Sequence, residues 1–322
     1  NRLDAMWTER KAPFSDHGPY LKKGEVIKTK GIYAVGPAPG SMESMPDFQS
    51  LKHTRLWLSQ KHEKPFFLVQ GINKPHLSFT VPQEFFDLYP LESIQLPETI
   101  PNDLSDIPPA AFEIFSRKDS AQFKHIRDYQ DGRGWKLTMQ AYLASISFSD
   151  WILGQIIDAL EAGPHAKNTL IVLWSDHGYH LGEKEKLHKQ TLWNQACHVP
   201  LIISLPEAQS SGTRCDAPVS LLDLYPTLNT LCQFTQAPPQ VLDGHDLSPL
   251  LANPKATWTH PSITSHGPQN LAISDQRYRY IRYQDGSEEL YDHKTDPHEF
   301  KNLAADPAMT SHKKRLGHML PN

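Results

Sequence analysis

The hydrophobic positions fall into two rhythms, one helical and one of short continuous runs. Phe48, Leu51 and Leu58 recur at near-helical spacing after Pro46-Asp47, which predicts a helix from there to Ser59. The run Pro65-Phe66-Phe67-Leu68-Val69-Gln70-Gly71-Ile72 is short, apolar and closed by Asn73-Lys74-Pro75-His76. That is the pattern of a buried strand passing into a loop. Residues 80–115 hold six prolines from Pro82 to Pro109 and read as irregular surface chain. Leu137, Ala141, Ala144, Phe148, Ile152, Ile156 and Ala159 step by three or four, a long helix stopped by Gly163-Pro164. Thr169 to Trp174 and Pro200 to Ser204 read as two further buried strands. Ser220 to Leu231 reads as a helix with Pro226 in its first turns. Residues 1–40, with Pro13, Pro19, Pro37 and Pro39, read as loop and short strand.

Strands alternating with helices predict an α/β fold, a largely parallel sheet with helices on both faces. The style changes near residue 255. Leu271–Ile273, Tyr278–Tyr283 and Glu289–Asp292 read as strands, Asp285-Gly286 as a hairpin turn, and about Pro307–Leu320 as a short helix. Residues 256–322 are therefore expected to form a small α+β subdomain with a short antiparallel sheet, distinct from residues 1–255. No internal repeat is visible.

Composition narrows the class. The chain has 322 residues, 39% hydrophobic and 21% charged, so it can bury a core. A formal charge of −4 and a pI near 6.5 argue against a general nucleic-acid binder. Apolar runs fall short of the ~18 residues of a membrane span, so none is expected. The chain opens on Asn1 with neither a methionine nor a signal peptide, as a processed chain or a piece of a longer one would. Cys197, Cys215 and Cys232 lack CxxC spacing, which argues against structural zinc, and their odd number leaves at least one thiol free.

Ligands of open α/β sheets gather at the carboxyl ends of the strands. Two predicted strands end in polar clusters there: Lys74-Pro75-His76, and Asp176-His177-Gly178-Tyr179-His180 continuing through Lys184, Lys186 and His188 to Lys189. A carboxylate beside imidazoles and ammonium groups suits an anionic substrate held near a metal ion. Singly, an Asp-His after a strand reads as a cap or turn, and the Lys184–Lys189 run as a solvated face. Together, both clusters follow strands, so one sheet rim is expected to bring them together around a single cation.

The stretch Ser175-Asp176-His177-Gly178-Tyr179-His180-Leu181-Gly182-Glu183, then Lys189 and His198-Val199-Pro200-Leu201-Ile202-Ile203, resembles the type I sulfatases, in particular an iduronate-2-sulfatase-like branch. So do Lys74-Pro75-His76, Phe85 through Glu92, Leu221 through Leu228, and the closing Glu289-Leu290-Tyr291-Asp292, Asp296-Pro297 and Asn302-Leu303. The resemblance implies an alkaline-phosphatase-like fold, with residues 1–255 as the C-terminal portion of the large domain. It implies hydrolysis of sulfate esters of sulfated sugars or polysaccharides, one divalent cation (usually Ca2+), and a formylglycine nucleophile made from a Cys/Ser-x-Pro-x-Arg motif. That motif and the family's early Asp-Asp pair are absent from these 322 residues. The N-terminal segment carrying them is expected elsewhere, for example as a separate chain, and this polypeptide alone is expected not to turn over.

By resemblance, Asp176 and His177 are metal ligands, His177 binding through a ring nitrogen or orienting the sulfate. His76 protonates the leaving alkoxide, and Lys189 grips a sulfate oxygen. Lys74, His180, Lys184, Lys186 and His266 are candidate substrate contacts. Arg277 and Arg279 share one face of a strand that reads mainly as solvated. Two other readings stay open: a phosphodiesterase or phosphonate hydrolase of the same superfamily, and a non-catalytic glycan-binding homologue. The family also implies a periplasmic, secreted or lysosomal location.

Overall fold

The structure, a computed structural model, describes residues 35–114, 117–206, 212–236, 238 and 240–321. The loop and short strand expected at residues 1–40 therefore lie almost wholly outside it; Val35 makes a parallel bridge to Phe79. In chain order the elements are α1 (Pro46–Leu58), α2 (Gln83–Phe86), α3 (Pro109–Ile114), α4 (Arg117–Asp128), α5 (Arg133–Glu161), β1 (Ile171–Trp174), β2 (His180–Leu181), β3 (Leu187–His188), α6 (Asn194–Cys197), β4 (Leu201–Ser204), α7 (Leu224–Leu231), α8 (Ser248–Ala252), β5 (Ser262–His266), β6 (Asn270–Ser274), β7 (Tyr278–Arg282), β8 (Glu288–Asp292) and α9 (Thr310–Gly317). The chain folds as two compact units: residues 1–96 with 122–169, and residues 97–121 with 170–322.

In the first unit α5 packs on α1 and α2. Its buried stripe runs through Thr138, Met139, Ala141, Ala144, Ser145, Phe148 and Ile152, the three-and-four spacing read from sequence. Phe85 meets Phe148 edge to face at 5.4 Å. Gly163 follows the helix because a Cβ there would stand 2.6 Å from the Leu58 carbonyl oxygen. By length and composition α5 could also cross a membrane, but its stripe lies against α1 and α2, as in the core helix of a globular unit.

The strand expected at residues 66–72 does not form. Phe67 is 65% and Val69 51% exposed, and the run has no ladder partner among the described residues. An apolar run records an intrinsic preference, and a strand also needs a neighbour to accept its hydrogen bonds.

In the second unit β1 pairs β4 in antiparallel register, Val172 opposite Ile203. The two strands are half-buried rather than buried, with Trp174 42% and Ile202 56% exposed. Periodicity sets which residues are strand and leaves direction open. The four-stranded sheet is antiparallel throughout, in the order β5-β6-β7-β8. Its alternation is strict. Ala272, Ile281, Tyr283 and Tyr291 face Trp193, Leu192 and the Ile107–Ala111 segment, whereas Leu271, Ile273, Tyr278, Tyr280 and Leu290 face Leu316 and Leu320. Gly286 turns the β7–β8 hairpin at φ 83°. β5 escaped the sequence reading because Ser-Ile-Thr-Ser-His carries one apolar residue. Cys197, Cys215 and Cys232 are all free thiols.

Candidate active site

The first unit holds Lys74 and His76 on a loop that two helices fix. The Asp47 carboxylate, in the first turn of α1, accepts the Asn73 N–H at 2.8 Å and the Lys74 N–H at 3.1 Å. Ser149 of α5 donates to the Lys74 carbonyl at 2.7 Å. Burial raises the Asp47 carboxyl above the usual range, opposed by those two N–H groups. The exposed His76 ring donates from Nδ1 to the Leu77 carbonyl at 2.7 Å.

Lys74, expected at the substrate, is only 4% exposed. Its ammonium donates to the Ser78 carbonyl, so it braces the loop from inside. Burial pulls its pKa down to about 8, against the pull of Asp47.

The second unit holds the other cluster. The loop after β1 is fastened to α6 by Gly178, whose N–H donates to the Ala196 carbonyl at 2.8 Å. A Cβ at Gly178 would stand 2.0 Å from the Gln195 carbonyl oxygen, so only glycine permits this approach. His177 donates from Nδ1 to the Gly178 carbonyl at 2.7 Å. Its Nε2 stands 3.7 Å from an oxygen of Asp176, whose side chain is 83% exposed. β2 and β3 form a tight hairpin with His180 opposite His188. Asp176-His177 precede this hairpin and Lys189 follows it, so both adjoin its open end in the chain. Lys189 is half-buried.

The hairpin's turn points the other way, into a buried polar network that the sequence reading missed. Lys184, 1% exposed, pairs with Asp103 at 2.7 Å, and Asp103 is 3% exposed. The same ammonium donates to the Glu299 carbonyl and lies 5.7 Å from the Trp193 ring and 5.4 Å from the Tyr291 ring. Trp193 Nε1 donates to Glu289 Oε2 at 2.8 Å, and the Tyr283 and Tyr291 hydroxyls donate to the same carboxylate. Burial pushes the Asp103 and Glu289 carboxyls up, against Lys184 for the first and against the Tyr283 hydroxyl for the second.

Lys184 is thus an interior ion-pair partner and not a surface grip for substrate. His180 and Lys186, also expected at the substrate, are both 0% exposed. His180 shares a hydrogen with Thr191 Oγ1 at 2.8 Å. Burial, aided by the Lys186 charge, lowers its pKa to about 3, so it is a neutral core imidazole. A run of charges reads as solvated only while no carboxylate waits inside, and Asp103 lies 81 residues away in sequence.

His266 ends β5 at the turn through Gly267, half-exposed, its carbonyl taking the Asn270 side-chain amide at 3.0 Å. Arg277 pairs with Asp292 at 2.6 Å. Arg279, expected on a solvated face, is 4% exposed and donates to the Leu192 carbonyl at 2.7 Å.

Calcium takes six to eight oxygen ligands. Among the described residues there is no group of three or more His, Cys, Asp and Glu placed to hold a metal. Asp176 and His177 are two candidate ligands and do not make a shell by themselves.

Comparison with known proteins follows from this geometry. The Sulfatase family model matches residues 22–233, and the model for the C-terminal part of N-sulphoglucosamine sulphohydrolase matches residues 182–322. A sulfatase of Formosa agariphila is 37% identical, covering 99% of this chain and 64% of its own length. Iduronate 2-sulfatase of Homo sapiens is 33% identical over 61% of this chain and 41% of its own length. The chain thus spans part of the length of each. The phosphonate monoester hydrolase of Agrobacterium radiobacter superposes with a TM-score of 0.74 at 20% identity, over 98% of this chain and 66% of that one, and shares the alkaline-phosphatase-like α/β fold.

Proposed function

The chain belongs to the sulfatase family, and from that premise we propose that the protein it forms part of hydrolyses sulfate esters of sulfated sugars. The observation that supports the reading is the β2–β3 hairpin, which Asp176-His177 precede and Lys189 follows in the chain. A carboxylate, an imidazole and an ammonium group are what a sulfate ester held near a cation asks for. The similarity to iduronate 2-sulfatase supports a sulfated sugar as substrate.

Each side chain then has a task. Lys189 places positive charge against the oxygens of the transferring group, where negative charge builds. His76, with Nδ1 engaged by Leu77, carries from Nε2 the proton that a poorly leaving sugar alkoxide requires. His266 is the substrate contact we retain from the C-terminal sheet. The family is metal- and formylglycine-dependent. We propose Ca2+ as the cation, with Asp176 and His177 as this chain's contribution to a shell completed elsewhere. The aldehyde precursor motif is absent from the 322 residues.

The test is sulfate release by the full-length protein from sulfated uronate oligosaccharides, with a phosphonate monoester as competitor substrate. Lys189→Ala and His76→Ala should each lower sulfate release about 100-fold or more with the circular dichroism spectrum intact. Normal turnover in either variant removes that residue from the mechanism. Preference for the phosphonate replaces the substrate class.

A further inference from the structure

We propose that Glu299 is the positioning residue of the Lys189 loop; the proposal rests on the role given above to Lys189. Residue 299 holds that loop at both ends. Its carbonyl accepts the Lys184 ammonium, and its carboxylate Oε2 accepts the Asn194 N–H at 2.9 Å. Lys189 lies between these two fastenings. The chain between them bends sharply, with Lys184, Glu185 and His188 at φ 53°, 49° and 76°. Such non-glycine conformations persist where the surroundings over-determine them.

The carboxylate is itself fixed. It is fully buried, Oε1 takes a hydrogen from His293 Nε2 at 2.8 Å, and Arg279 Nε stands 3.7 Å away. Asn194 opens α6, whose Ala196 carbonyl holds the Gly178 N–H at 2.8 Å. One buried carboxylate therefore sets the far end of the Lys189 loop and, through α6, the loop bearing Asp176 and His177.

Both oxygens of Glu299 accept a hydrogen, so an amide cannot replace it. Glu299→Gln turns its NH2 toward either the Asn194 N–H or the His293 N–H, and one of the two fastenings is lost. The shape of the side chain stays the same.

The experiment is a double-mutant cycle in the full-length protein with Glu299→Gln, Lys189→Ala and the pair, read as kcat and KM on a sulfated oligosaccharide, together with amide hydrogen exchange over residues 185–195. Glu299→Gln should lower kcat by about 10- to 100-fold with KM changed less than about threefold, and exchange in that segment should rise. In the Lys189→Ala background it should cost clearly less than in the wild type, leaving only the share that travels through α6 to the Asp176-His177 loop. Wild-type kcat with unchanged exchange overturns the proposal, and so does a loss that multiplies in full on Lys189→Ala. Should Glu299→Gln fail to fold, Asn194→Pro deletes the same bond from the other side: proline suits a first helical position, and Trp193 before it is already extended at ψ 158°. A wild-type protein that releases no sulfate would sink the function proposed above, while hydrogen exchange alone decides whether the carboxylate holds the loop.

Discussion

Lys184→Met removes a cation that the structure buries to 1% exposure. The methionine fills most of the same space and makes none of the bonds. Asp103 then keeps a carboxylate in the interior without its partner at 2.7 Å, and the Glu299 carbonyl loses its donor. Breaking a buried pair from one side costs about 3–5 kcal/mol, because the surviving charge is uncompensated. At roughly 2–4 °C per kcal/mol for a unit of this size, Tm should fall on the order of 10 °C. The deficit has a pH signature. Burial raises the Asp103 carboxyl and Lys184 opposes it; without the ammonium only the backbone N–H of residue 184 still opposes the rise. A group whose folded pKa lies above its unfolded value contributes stability at low pH and loses it as pH rises through the folded value. The variant should therefore be weakest at neutral pH and recover toward pH 4. Lys184→Met with Asp103→Leu, which removes both charges, should regain most of the loss. Thermal and urea unfolding at pH 7 and 5 measure all three proteins. A single variant within about 1 kcal/mol of wild type, or a pair no better than the single, would refute the interior ion pair. A raised KM at unchanged Tm would restore Lys184 to the substrate.

Two further outcomes follow from the same unit. Gly178→Ala puts a Cβ 2.0 Å from the Gln195 carbonyl oxygen, so it should cost about 2 kcal/mol or more and abolish sulfate release by pushing the Asp176 loop off α6; full activity would show that the loop can move aside. His180, held near pKa 3 by burial, is neutral in the fold and takes a proton in the unfolded chain below its ordinary value of about 6.5. Its contribution is complete above that pH and is lost as pH falls toward 3, by up to about 1.4 kcal/mol per unit. His180→Gln should flatten the fall of Tm between pH 6.5 and 4, and an unchanged slope would assign the acid sensitivity to other groups.

What the sequence made legible is what repeats. α1 and α5 were readable because their apolar residues return every third or fourth position, and the β7–β8 hairpin because Asp285-Gly286 names its turn. What it hid depends on partners far along the chain. The run 66–72 has strand composition and, among the described residues, lacks a neighbour to make it one. Lys184 and His180 sit in a polar stretch with the look of surface, and only Asp103 and Thr191 show that they face inward. Asp47 was visible as a helix start, but its grip on Asn73 and Lys74 was not. Asp296-Pro297 drew notice, yet Glu299, two residues later, carries the larger structural task.

The second unit borrows residues 97–121 from the first half of the sequence. No single cut can separate the two units. A fragment beginning at Leu170 would be born without the counter-ion of the buried Lys184 and without the Ile107–Ala111 segment that covers one side of its sheet. Synthesis from the N-terminus meets that need in advance, since the ribosome has released residues 97–121 long before the hairpin that requires them emerges.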